Sequence, residues 1–125
     1  MYYLDMETTY KIFLVLHFIG LAGLLGGLLS QISAKPKKLQ AFVLHSAWLM
    51  IIAGTAMVGL NQSMHSDDST VELINQTTVG IKSLVIAVIL TLGYKNFKKP
   101  ELSTKIWGTM TGLAVLNILL AVFGI

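Results

Sequence analysis

Four long apolar blocks separated by short polar stretches dominate the pattern of hydrophobic and polar positions. They cover about residues 11–30, 39–60, 74–94 and 106–125. Within each block the apolar residues surround the helix, whereas a helix on the surface of a globular protein shows one apolar stripe. About 20 such residues at roughly 1.5 Å each cross the hydrocarbon core of a bilayer. The pattern predicts an all-α integral membrane protein, a four-helix bundle in which every helix spans the bilayer.

Composition supports this class and one domain. Of the 125 residues, 54% are hydrophobic and only 12% are charged, whereas soluble domains carry about a quarter charged residues. A chain of this length forms a single domain, here residues 1–125. Cysteine is absent from the sequence, which excludes disulfides, thiolate metal sites and iron–sulfur clusters.

The lysines predict the orientation of the bundle. Seven of the nine basic residues fall in the first and third connections: Lys35, Lys37, Lys38, Lys95, Lys98, Lys99 and Lys105. Basic residues concentrate in the cytoplasmic loops of membrane proteins. We therefore expect an up-down-up-down bundle in a plasma membrane, with both termini outside and both lysine-rich connections in the cytoplasm.

Three ionisable residues lie inside the predicted spans, namely His17, His45 and Lys82. Such residues are rare in spans and commonly functional. From the helical rise, His17, Lys82 and Asn117 stand at similar heights, about 18 to 20 Å above the inner ends of their helices. They are expected to form a polar cluster suited to a small anion, a quinone carbonyl or a lipid head group. The alternative is that Lys82 extends its ammonium group to the outer head groups.

His17 and His45 are also candidate cofactor ligands. By the helical rise their heights differ by roughly 11 Å, so they are not expected to bind one haem together. A haem held by a single histidine remains open, beside the simpler expectation that each histidine bonds to a neighbouring helix.

Two glycine pairs have the four-residue spacing of close helix contacts: Gly23 with Gly27, and Gly108 with Gly112. Small residues at this spacing let helix backbones approach closely. They are expected to pack inside the bundle, or against a second copy or another membrane protein.

The remaining polar residues predict no further chemistry. No phosphate-binding loop, dinucleotide fingerprint, nucleophile elbow or zinc spacing occurs, so no catalytic residue is predicted. Met64 and His65 carry a thioether and an imidazole that copper accepts, but one such pair on a loop is more typical of ordinary loop polarity. We therefore predict no metal site and no nucleic-acid partner.

Three short motifs carry a family resemblance. They are Leu16-His17-Phe18-Ile19-Gly20, Gly26-Gly27 and Gly80-Ile81-Lys82. The chain resembles, over about a third of its length, small bacterial membrane proteins of the CopD copper-resistance and membrane protoporphyrinogen oxidase type. The resemblance implies an early-helix histidine at His17 and a third-span lysine at Lys82, with haem binding for the oxidase. In size and topology the chain is also similar to small accessory subunits of bacterial respiratory complexes.

These observations predict a non-enzymatic membrane protein that acts as an accessory or interaction subunit of a larger, respiratory-type complex. Its expected partners are membrane lipid and other membrane subunits or further copies of itself. A haem- or quinone-associated redox protein is the first alternative, and a small oligomeric transporter is the second.

Overall fold

The protein is a bundle of four α-helices in a computed structural model that describes the backbone of residues 2–123 and the side chains of residues 5–123. The helices are α1 (Tyr2–Leu29), α2 (Ala41–Asp67), α3 (Gln76–Asn96) and α4 (Thr104–Phe123). Each is long and apolar enough to cross a membrane. The all-α prediction is confirmed, since the described chain contains no strand beyond an isolated bridge between Lys37 and Leu102. Positions 124 and 125, at the end of the fourth predicted span, lie outside the described residues.

Polar side chains begin two of the helices. The side chain of Asn75 accepts hydrogen bonds from the backbone N–H groups of Thr77 and Thr78, at 2.9 and 3.3 Å, ahead of α3. The Ser103 hydroxyl oxygen accepts the Ile106 N–H at 3.1 Å ahead of α4. The first N–H groups of a helix have no partner within it, so these caps define where α3 and α4 begin.

The α2 helix continues past the second predicted span, through the polar residues 61–67. The buried Asn61 explains the extension. Its amide nitrogen donates to the Glu72 carbonyl oxygen, and its amide oxygen accepts the Ile74 N–H, both at 2.8 Å. One side chain thereby holds the α2–α3 connection against the last turns of α2.

The tightest helix contact joins α1 to α2, and glycines on α1 make it possible. A Cβ atom added at Gly20 would lie 2.8 Å from the Ser46 carbonyl oxygen, and one at Gly27 would lie 2.5 Å from Val43 Cγ2. Neither position has room for a side chain. The α3–α4 contact is the next most extensive, and α1–α4 and α2–α3 contacts are sparser.

The outward surface is strongly apolar. Large exposed side chains include Val15, Phe18, Leu84, Val122 and Phe123. A continuous apolar surface of this kind suits hydrocarbon rather than water. The interior is filled mainly by Leu24, Leu28, Val43, Ile89 and Met110.

Candidate functional site

A cavity of about 500 Å³ lies between the helices and is lined by residues of all four. Most of its walls are apolar, from side chains such as Leu21, Ile51, Val58, Ile86 and Ile118. The three residues predicted as an intramembrane polar cluster, His17, Lys82 and Asn117, all line it. A largely apolar pocket with a few convergent polar groups is the usual form of a small-molecule site.

The imidazole of His17 is oriented by α2. Its Nδ1 lies 2.9 Å from the carbonyl oxygen of Met50. A carbonyl oxygen only accepts, so Nδ1 carries the proton and donates, which leaves Nε2 of the neutral ring as an acceptor. No hydrogen bond to Nε2 occurs within the described chain. The ring therefore offers the cavity one acceptor or ligand atom.

Gly54 makes room for the His17 ring. A Cβ atom at Gly54 would lie 3.3 Å from Cε1 and 3.4 Å from Nδ1 of that ring. Gly54 lies one helical turn after Met50, so both α2 positions face the same imidazole. Sequence analysis missed both residues. Their four-residue spacing was visible, but nothing in it indicated which α1 residue would face them.

Asn117 contributes a polar group that is not fully paired. The residue is only 7% exposed. Its Nδ2 donates to the backbone carbonyl oxygen of Lys82 at 3.4 Å, whereas its Oδ1 is buried with no hydrogen-bond partner among the described residues. A buried acceptor without a partner costs about 1 to 3 kcal/mol. Such an atom needs a structural or functional explanation.

Lys82 brings a cation to the cavity. The side chain is partly buried and lines the same cavity as His17. Within the described chain the only ion pair joins Lys11 to Glu7, at 3.5 Å. No acidic side chain there neutralises Lys82, and none lines the cavity.

His45, the second candidate cofactor ligand, lies elsewhere. It is exposed and does not line the cavity. The next residue, Ser46, packs against α1, since a Cβ atom added at Gly23 would strike it. His45 therefore points away from that contact and takes no part in this site.

The two glycine pairs occupy different surroundings. Gly23 and Gly27 face α2 inside the bundle, where an added Cβ would strike Ser46 and Val43 respectively. At Gly108 and Gly112 a Cβ would meet no neighbouring atom within 4 Å, and both residues are exposed. Only the second pair leaves a free surface on the described part of the bundle.

The candidate copper-binding residues at the end of α2 have structural roles. His65 Nδ1 lies 2.7 Å from the Val71 carbonyl oxygen, and Met64 is buried. Within residues 5–123 no group of three or more histidine, aspartate and glutamate side chains is arranged to hold a metal ion.

The cavity and its polar groups are the basis for assigning function. Comparisons of the chain with known protein families, curated proteins and solved structures find no match.

Proposed function

We propose that this protein binds a small amphipathic molecule inside the membrane, in the cavity lined by His17, Lys82 and Asn117. The observation that carries the proposal is the buried Asn117 Oδ1, which has no hydrogen-bond partner among the described residues and belongs to a cavity-lining side chain. A ligand donor would satisfy this atom, while the apolar walls would receive a hydrocarbon part.

The energetics support a role for these residues beyond packing. A lysine at the centre of a span costs about 2.5 to 3.5 kcal/mol, and Lys82, nearer one end of α3, costs a part of that; an unpaired asparagine oxygen adds a further penalty. Leucines of similar volume would avoid both penalties. Binding a ligand with complementary polar groups recovers part of this energy.

The proposed setting is a bacterial plasma membrane, with up-down-up-down helices and both termini outside. The support for this orientation is the placement of seven lysines in the α1–α2 and α3–α4 connections, in the last turn of α3 and at the start of α4. Cysteines introduced at the exposed positions Lys38→Cys and Ser66→Cys would then react from opposite sides of intact cells. Labelling of both by a membrane-impermeant reagent would contradict the orientation.

The cavity can be tested directly with neighbouring positions on α3. Ala87 and Val88 are both exposed on α3, but only Ala87 lines the cavity. Ala87→Phe should expel a bound small molecule, while Val88→Phe adds bulk on the lipid side and should retain it. Native mass spectrometry of both variants would measure the bound mass. Equal binding in the two variants, or none in the unchanged protein, would contradict the proposal.

A haem- or quinone-associated redox protein is the second candidate, and the His17 imidazole favours it. Donation of Nδ1–H to a backbone carbonyl is how ligating histidines are commonly oriented, with Nε2 directed to the iron. Because His45 lies outside the cavity, His17 would be the one histidine ligand of a haem held there. A bound haem would supply electron transfer. Haem reconstitution that produces no Soret band dependent on His17 would exclude the haem form.

We also propose that the protein is an accessory subunit of a larger membrane assembly, of the respiratory type. The exposed Gly108 and Gly112 on α4 favour this role, because small residues let a partner helix approach closely. A second copy of this chain is the competing occupant of that surface. Co-purification from native membranes would identify the partner.

A further inference from the structure

We infer that the ligand of this cavity is an anionic amphipath, an acyl-chain molecule whose carboxylate or phosphate head group pairs with Lys82. This inference rests on the proposed ligand-binding function and specifies the chemistry of the ligand.

Lys82 has no acidic partner among the described residues. All six acidic residues lie outside the four predicted spans, at Asp5, Glu7, Asp67, Asp68, Glu72 and Glu101. Glu7 pairs with Lys11, and Asp68 accepts two hydrogen bonds from Thr70. Among the described residues none forms an ion pair or hydrogen bond with the ammonium group of Lys82, and the Asn117 amide bonds only to the backbone carbonyl oxygen of that residue. Within the described residues no negative charge neutralises the Lys82 ammonium group, and an anionic ligand in the cavity would supply one.

The polar residues His17, Lys82 and Asn117 give the cavity one cationic donor and two acceptors. The ammonium group of Lys82 donates only, and a charge-assisted bond to an anionic oxygen is about twice as strong as a neutral one. His17 Nε2 and Asn117 Oδ1 only accept in the assigned states. These two atoms suit a hydroxyl or P–OH donor, which a phosphate head group supplies and an ionised carboxylate does not, and this favours the phosphate form of the head group.

The apolar part of the cavity has room for a hydrocarbon chain. About 500 Å³ of mostly apolar space adjoins the polar groups. A small inorganic anion would leave that space empty, and an apolar molecule would leave Lys82 without a partner. A head group with an attached acyl chain satisfies both parts of the cavity.

The experiment compares charged and neutral probes on protein in nanodiscs of phosphatidylcholine, with empty nanodiscs subtracted. Radiolabelled hexadecanoate is paired with hexadecan-1-ol, and lysophosphatidate is paired with monoacylglycerol. At least one anion should bind about tenfold or more tightly than its neutral partner, as expected for a charge-assisted hydrogen bond. The pair with the larger ratio decides between a carboxylate and a phosphate head group.

Variants assign the preference to Lys82. Lys82→Met should remove it, while Lys82→Arg should retain it because the charge is kept. The matched control is Lys105→Met, which removes an exposed lysine at the start of α4 and should leave the preference intact. A preference that survives Lys82→Met, or that disappears in Lys105→Met, would assign it to general attraction by surface lysines and overturn the inference.

The outcomes also separate this inference from the proposed function. Equal binding of charged and neutral probes that Ala87→Phe abolishes would refute the anionic class while leaving the cavity as a binding site. No binding of any probe above empty nanodiscs would contradict both. If the Lys82 variants fail to fold, the inference is tested instead by identifying the lipids that co-purify with the unchanged protein. Neutral lipids alone in that fraction would overturn the inference, and enrichment of an acidic acyl lipid would support it.

Discussion

The ammonium nitrogen of Lys37 lies 4.9 Å from the centroid of the Trp107 indole ring. The same nitrogen donates hydrogen bonds to the carbonyl oxygens of Ile32 and Ala34, at 3.3 and 3.1 Å. The indole Nε1 in turn donates to the Leu28 carbonyl oxygen at 2.6 Å. Together these contacts fasten the end of α1 and the connection after it to the first turn of α4.

Lys37→Met is predicted to lower the free energy of unfolding by about 2 kcal/mol, because it removes charge-assisted hydrogen bonds and a cation–π contact. Methionine keeps most of the apolar stem, so lost packing contributes little. The control is Lys38→Met, which removes an exposed lysine one position away. Denaturant unfolding in detergent measures both variants, and equal losses would show that the Lys37 contacts add no stability.

Gly23→Leu and Gly112→Leu are predicted to have opposite effects on folding and assembly. Leucine at Gly23 would collide with Ser46 and separate α1 from α2, so the variant should lose membrane insertion or stability. Leucine at Gly112 meets open space, so the isolated bundle should insert and unfold as before. Gly112→Leu should instead weaken co-purification with a partner. Normal co-purification of a folded Gly112→Leu protein would remove this surface from consideration.

Asn117→Leu is predicted to make the protein more stable and less able to bind its ligand. The substitution removes the buried Oδ1 that lacks a described partner, so the free energy of unfolding should rise by about 1 kcal/mol. Asn96→Leu is the control. Asn96 is equally buried, but its amide donates to the Leu92 carbonyl oxygen at 2.7 Å, so no such gain is expected. A less stable Asn117→Leu protein would mean that Oδ1 is already satisfied.

Acid should loosen the α2–α3 connection at Asp68. The Thr70 hydroxyl and backbone N–H donate to Asp68 Oδ1, at 2.7 and 3.0 Å, and hold the pKa of this carboxyl below its ordinary value. A lowered folded-state pKa contributes stability that is present above the unfolded-state pKa. That stability is lost as pH falls below the unfolded-state pKa and through the lower folded-state pKa.

Hydrogen exchange across residues 68–75, corrected for intrinsic rates, should therefore accelerate at acid pH. Thr70→Val removes the hydroxyl and should raise the pKa of Asp68 toward its ordinary value. Ser69→Ala, a neighbouring substitution without a bond to Asp68 among the described contacts, should leave the pH dependence unchanged. Identical profiles for the two variants would contradict the assigned cause.

The four helices were predictable because each apolar block is long and nearly free of charge, so only a membrane span accommodates it. The ends were less predictable. Residues 61–67 are polar and indicate the end of a span, but the α2 backbone remains helical because Asn61 ties the following connection to it. The end of an apolar block indicates where a helix leaves the apolar environment. The backbone hydrogen bonds of the helix can continue beyond that position.

The sequence predicted the positions of the site residues along the helix axes, but not the directions in which their side chains point. Helical rise alone indicated that His17, Lys82 and Asn117 stand at one level, and all three line the cavity. The direction in which His45 points depends on the rotation of α2, which is set by glycine contacts with α1. For the same reason the sequence did not separate Gly23 and Gly27 from Gly108 and Gly112, since identical spacing can face a neighbour or the outside.

The glycine-lined contact joins α1 to α2, two helices that are consecutive in the chain. It involves only the first 67 residues, so this hairpin can pack while the rest of the chain is still emerging from the ribosome. The cavity is different, because Asn117 comes from α4 and Lys82 from α3. A nascent chain stopped before α4 would have α1 packed on α2 but would lack the α4 wall of the cavity. The proposed ligand therefore meets its full set of polar groups only after α4 has been added.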